Sequence, residues 1–156
     1  MPADGSAKAS RPRRRKQPLS RMLDSSPQAI SVGLQEMFNC NLLVRLTDDS
    51  RGTVEIVLAE VLNNVVEHAY ADYSGQIAVC ITPRDGYLFV RVVDDGLPMP
   101  GGEAPGGKLS KATKIESLPE GGFGWYLIRS LSQDLTYARD GRQNVLSFCV
   151  GVDYRV

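Results

Sequence analysis

The sequence predicts a two-layer α/β (α+β) sandwich, a mostly antiparallel sheet covered on one face by helices. Three observations carry that expectation. Apolar residues recur at spacings of three and four through residues 30–38 and again through residues 54–69, the period of a helix with one buried face. Residues 76–82 then alternate and residues 87–93 are nearly continuously apolar, on either side of a turn-forming Pro-Arg-Asp-Gly. After a short third helical pattern, Asp140-Gly141 joins two more strand-like runs as a hairpin. The order is helix, helix, strand, strand, long loop, helix, strand, strand, which places helices on one face of a sheet.

The 156 residues suit one domain with a sizeable core. With 42% hydrophobic and 23% charged residues, the composition is that of a soluble globular protein. The formal net charge is zero, so no global field marks a nucleic-acid partner. Cys40, Cys80 and Cys149 are odd in number, far apart and set in apolar segments. They read as small buried hydrophobes in a reducing compartment rather than a metal site. One histidine is too few for a histidine-rich metal centre. No apolar run is long enough for a membrane span, and none follows the basic N-terminus as in a signal peptide. The expected location is the cytoplasm.

Residues 1–18 read as a disordered basic tail, with Arg11, Arg13, Arg14, Arg15 and Lys16 and no apolar period to offset the cost of ordering. The cluster is either a solvated tail or a contact for an anionic partner or membrane. The folded domain is expected over residues 19–156. Ser26-Pro27 starts a helix, a hydroxyl cap before proline at the first helical position. Ile30, Leu34, Met37 and Phe38 give it a stripe, and it is expected to reach about Val44. Thr47, Asp48 and Asp49 cap the next helix, which runs to about Ala69 with Val54, Val57, Leu58, Val61, Leu62 and Val65 on its buried face. Residues 76–82 and 87–93 are strands around the turn at 83–86. Residues 97–121, with four prolines and several glycines, form a long loop of the kind that is usually functional or disordered. A helix follows over about 125–131, then strands over 135–138 and 144–152.

Three stretches can carry chemistry. Glu60, Asn64 and His68 are each four apart, so on a regular helix they stack along one line beside the apolar stripe. An acid and an amide at the rim of a core can take a proton or hold a metal; equally, a lone helical Glu is usually just solvated. Asp94-Asp95-Gly96 ends a buried strand, where a carboxylate can accept a bond from a base edge; an ordinary strand-ending turn has the same composition. Gly122-Phe123-Gly124 precedes a helix, where free N–H groups at the positive end of the dipole suit phosphate; a hinge is the other reading. Neither the dinucleotide fingerprint nor the Walker loop is present.

In this order the stretches resemble the GHKL (Bergerat-type) ATP-binding fold over roughly residues 19–152. Glu60-x-x-x-Asn64 with His68-Ala69-Tyr70 resembles its N box, and Asp94-x-Gly96-x-Pro98 its first glycine box. Gly122-x-Gly124 resembles the second, and Asn144-x-Leu146-Ser147 the closing strand, where the family often has threonine. Within that fold the chain is most similar to the small anti-sigma-factor serine/threonine kinases. Trp125 and Met99 depart from that pattern, standing where leucine or methionine and phenylalanine are usual. The resemblance implies ATP and Mg²⁺ as ligands, and roles by matching position. Asn64 would hold Mg²⁺ bridging the phosphates, and Glu60 would be the general base for a partner's hydroxyl. Asp94 would bond the adenine amino group with Gly96 beneath the ring. Gly122 and Gly124 would offer N–H groups to phosphate, and Ser147 would complete the adenine pocket. The long loop would be the ATP lid, with Lys108 reaching phosphate, although lysines in such a loop are commonly solvated. His68 reads as a packing and hydrogen-bonding residue. The implied partners are an anti-sigma antagonist protein as phospho-acceptor and a sigma factor, with a homodimer through the first helix and adjoining strand. Two other readings stand beside this one: a nucleotide-dependent binding switch without phosphotransfer, and the catalytic domain of a histidine kinase. Against the second, the only histidine lies within the N box.

Overall fold

The structure is a computed structural model and describes residues 16–106 and 122–156. Five antiparallel strands form one sheet in the order β1-β2-β3-β5-β4. They are β1 (Leu19–Asp24), β2 (Gln76–Arg84), β3 (Tyr87–Asp94), β4 (Gln133–Asp140) and β5 (Gln143–Gly151). Three α-helices, α1 (Pro27–Phe38), α2 (Asp48–Asn64) and α3 (Gly122–Leu131), complete the described elements together with two short turns of helix. The two-layer antiparallel arrangement expected from the periodicities is the one observed.

Alternation along the strands decides what faces the helices. Ile77, Val79 and Ile81 on β2, Leu88, Val90 and Val92 on β3, and Leu146, Phe148 and Val150 on β5 are all buried. Their neighbours one position along lie on the opposite, helix-free face. Val54, Val57, Leu58, Val61 and Leu62 cover the sheet from α2, each buried aliphatic side chain stabilising the fold by about 1.5–3 kcal/mol. The cap at Ser26 is formed, its Oγ accepting from Ala29 N at 3.1 Å. Thr47 caps α2 in the same way, accepting from Ser50 N.

Several boundaries differ from the expected ones. The first described element is β1, a strand where no strand was expected. Only Leu19 and Leu23 of its residues are buried, so as an edge strand it carries too little apolar alternation to announce itself. Helix α1 stops at Phe38 rather than near Val44; Asn39 is its C-cap and its N–H makes the last helical bonds, to Gln35 O and Glu36 O. Pro83 and Arg84 belong to β2, and the turn shrinks to Asp85-Gly86, a two-residue hairpin loop. The second helix does not stay regular to Ala69. After Asn64 it widens into a π turn, Val65–Ala69, closed by Tyr70 N bonding to Val65 O at 3.0 Å. Such turns recur at functional sites.

Candidate nucleotide site

A cavity of about 530 Å³ opens between α2 with its π turn, the start of α3, and the ends of β3 and β5. That volume is in the range of small-molecule sites. Its walls are mainly apolar, with Val61, Val65, Ala69, Met99, Trp125 and Leu146 among them. Polar groups are concentrated at two ends.

Asp94 marks one end. It closes β3 on the helix-facing side and sits directly opposite Asn144 in the β3–β5 register. Both are buried, at 5% and 4% exposure. Asp94 Oδ1 accepts from Gly96 N at 2.9 Å and from Asn144 Nδ2 at 2.7 Å. Burial pushes the carboxyl up from its ordinary pKa, against the opposing pull of these two bonds and of Arg139. Asn144 is itself held: its Nδ2 also donates to Leu97 O at 2.9 Å, and its Oδ1 accepts from Tyr137 Oη at 2.5 Å and Arg139 Nη1 at 2.9 Å. Arg139 reaches on to Gly96 O, and Tyr137 Oη accepts from Met99 N.

The other end is built by α2 against α3. Gly124 is the third residue of α3, so the glycines open the helix from inside rather than preceding it. Their N–H groups remain among the first four of the helix, which have no partner within it. A Cβ on Gly124 would lie 2.6 Å from Glu60 Oε2 and 4.0 Å from Asn64 Nδ2. Glycine is therefore what allows the Glu60 carboxylate to lie against the α3 backbone, with the Asn64 amide at an ordinary contact distance beside it. Asn64 is 9% exposed and lines the cavity. Its Nδ2 is buried without a hydrogen-bond partner among the described residues. Since amide O and N exchange by a half-turn, the same position can present an oxygen to a hard cation.

Not every expected site residue is where the motif order implies. Glu60 and Gly124 adjoin the cavity through Asn64 and do not line it themselves, and neither does Gly96. A Cβ there would meet the Ala69 backbone at 2.5–2.6 Å, and Leu97 N bonds Ala69 O at 2.7 Å, so its role is to seat the strand end on the π turn. Ser147 faces away: it alternates with buried Leu146 and Phe148, and its Oγ meets Thr136 Oγ1 at 2.7 Å on the helix-free face. The residue that completes the Asp94 end is Asn144, three positions earlier on the same strand. His68 is exposed at the cavity edge instead of packed, because the π turn carries it off the line of Glu60 and Asn64. Lys108, with most of the long loop, lies outside the described residues. Tyr137 and Arg139 escaped sequence reasoning. Both project from an edge strand whose residues are mostly exposed, and only their cross-strand partners Leu146 and Asn144 show which way they face.

Residues 24–150 match the model of the histidine kinase-like ATPase domain. The chain is 30% identical over 95 residues to the serine-protein kinase RsbW of Bacillus cereus (strain AH820), covering 60% of this chain and 59% of that protein. The RsbW of Bacillus thuringiensis (strain Al Hakam) matches with the same identity and coverage. The chain thus spans about three fifths of the length of the curated relatives it matches. Among solved structures, the RsbU and RsbW domains of Rv1364c from Mycobacterium tuberculosis superpose with a TM-score of 0.62 at 16% identity. That match covers 90% of this chain and 34% of the other, and it is a likeness of fold.

Proposed function

The chain belongs to the histidine kinase-like ATPase domain family, and on that premise we propose that it is an ATP-dependent serine/threonine protein kinase. It would act as an anti-sigma factor that phosphorylates an antagonist protein in a partner-switching system. The relatives named as serine-protein kinases support the reaction class. The observation that carries it is the packing of Gly124 against Glu60 beside Asn64 at the start of α3, with Asn64 lining the same cavity as buried Asp94.

Each residue has a part that its surroundings allow. Asp94 accepts the adenine amino group, its Oδ1 being already occupied by Gly96 N and Asn144 Nδ2. Trp125, Met99 and Leu146 pack against the base. The free N–H groups at the start of α3 receive the phosphates. Asn64, whose buried Nδ2 has no partner among the described residues, would hold Mg²⁺ through the oxygen of the turned amide. Among the described residues no three acidic, histidine or cysteine side chains converge on a metal, so Asn64 would share the ion with phosphate oxygens, as Mg²⁺ sites commonly do. The bound ion supplies charge neutralisation on the phosphates.

Glu60 serves as general base. The partner's hydroxyl oxygen forms the new bond to the γ-phosphorus, the bond to the β–γ bridging oxygen breaks, ADP leaves, and the hydroxyl proton passes to the Glu60 carboxylate. A loose phosphoryl transfer asks mainly for position and charge. Incubation with radiolabelled ATP and a candidate antagonist tests the reading: label on the antagonist's serine or threonine is expected. ATP-dependent binding of the antagonist without transfer of label would replace the kinase by a nucleotide-dependent binding switch.

A further inference from the structure

We propose that Tyr137 and Arg139, neither of which the nucleotide reading requires, are positioning residues that set the preference for adenine over guanine by clamping the Asn144 amide. The inference rests on the nucleotide reading of the cavity and deepens it.

The geometry fixes the amide's sense. Two donors, Tyr137 Oη at 2.5 Å and Arg139 Nη1 at 2.9 Å, converge on Asn144 Oδ1. The amide N–H groups must then point the other way, toward Asp94 Oδ1 at 2.7 Å and Leu97 O at 2.9 Å. A carboxylate that already accepts from Asn144 and from Gly96 N is held as an acceptor, which suits the amino group at adenine C6 and opposes the carbonyl oxygen at guanine C6. Without the two donors, Asn144 Oδ1 is left buried and unpaired, and the amide is free to rotate. The rotated amide presents oxygen to Asp94, a contact only a protonated carboxyl satisfies. That proton is spent on Asn144, and the neutral carboxyl gives up its charge-assisted bond to the adenine amino group and its charge repulsion of the guanine carbonyl. The clamp thus keeps the base-reading group charged and accepting.

Arg139 is separated from the base by Asn144 and does not line the cavity. Tyr137 lines it, but its hydroxyl is spent on Asn144 and on Met99 N. Other titratable groups near Asp94 are Asp95 beside it in the chain, Tyr70 below the strand end, and Glu67 and His68 across the cavity. None of these bonds Asn144.

The test is calorimetric titration of the full chain with Mg-ATP and with Mg-GTP, from about pH 5 to 8. The variants are Tyr137→Phe, Arg139→Gln and the pair combined. The combined variant is expected to lose about tenfold in its ATP-to-GTP affinity ratio, about 1.4 kcal/mol. Its ATP affinity should also fall away at a higher pH than the parent's as acid is added. A His68→Gln background removes the imidazole from that pH reading. Asn144→Thr supplies the rescue, because a hydroxyl turns to donate to Asp94 without being clamped; in that background the two β4 substitutions should leave the ratio unchanged. An unchanged ratio and pH profile in the combined variant, or equal weakening of both nucleotides, overturns the clamp. If the parent binds neither nucleotide, the nucleotide reading falls and the clamp with it. A parent that binds ATP with variants that match it sinks the clamp alone.

Discussion

At the Asp94 end of the cavity, each oxygen and nitrogen of the Asn144 side chain has a protein partner. At the Glu60 end, Asn64 Nδ2 is buried with none among the described residues, and a carboxylate lies against a glycine. The first arrangement is a closed network on neighbouring strands of one sheet, set before any ligand arrives. The second holds a half-buried carboxylate and a buried amide between two helices and leaves the amide nitrogen for something else to satisfy. A buried polar group without a partner costs about 1–3 kcal/mol, so its presence is better explained by a ligand than by stability. Read as a kinase, the molecule keeps the rigid end for recognition and the unsatisfied end for chemistry.

The largest effect that can break this contrast lies at the Glu60 end. Glu60→Gln keeps size and hydrogen bonding, so ATP and partner binding should persist while phosphotransfer falls by roughly 10²–10⁴. A parental rate of label transfer in that variant would remove Glu60 from the reaction. Asn64→Ala should instead weaken Mg-ATP binding itself, by about 10–100-fold, the value of a bond to a charged group. Calorimetry with and without Mg²⁺ reads it, and an affinity independent of the ion in both proteins would take the metal away from Asn64.

At the other end, Asp94→Asn should cost about 1.5–3 kcal/mol of ATP affinity by losing a charge-assisted bond. Equal affinity for variant and parent would place the base elsewhere. The two glycines sharpen the comparison further. Gly96→Ala drives a Cβ into the immovable Ala69 backbone and should lower stability by about 1–3 kcal/mol. Gly124→Ala meets the free end of the Glu60 side chain, which can swing aside. Thermal unfolding should therefore separate the pair, with Gly124→Ala losing phosphotransfer more than stability. The reverse order would mean that Gly124 is structural.

The smallest effect is on pH and stability. The Asp94 carboxyl is raised in the fold by burial, so the native state holds that proton more tightly than the unfolded chain. Its contribution to stability therefore declines as pH rises from the ordinary carboxylate value through the folded one. Asp94→Asn removes the buried charge and should flatten that decline, leaving the protein at least as stable as the parent near neutral pH while binding ATP less well. Denaturant unfolding at a series of pH values checks it, and a steeper decline in the variant would contradict the sign.

What could be read from residues alone was whatever depends on local period and local chemistry. The stripe of Val54 to Val65, the strands around Asp85-Gly86 and the caps at Ser26 and Thr47 each follow from neighbours within a few positions. So does the placing of Glu60 and Asn64 one turn apart. The strand β1 did not, because an edge strand with two buried residues takes its hydrogen bonds from β2 rather than from any pattern of its own. The π turn did not either, and it moves His68 out of line. Above all, strand register was decided by tertiary pairing. A shift of one residue changes the face of every side chain. It is the register that sends Ser147 to the open face and brings Asn144 opposite Asp94. The β4 pairing then aims Tyr137 and Arg139 at the site. Those contacts join residues about 40–50 positions apart, as in Arg139 to Gly96 and Asn144 to Asp94, a separation that no local window spans.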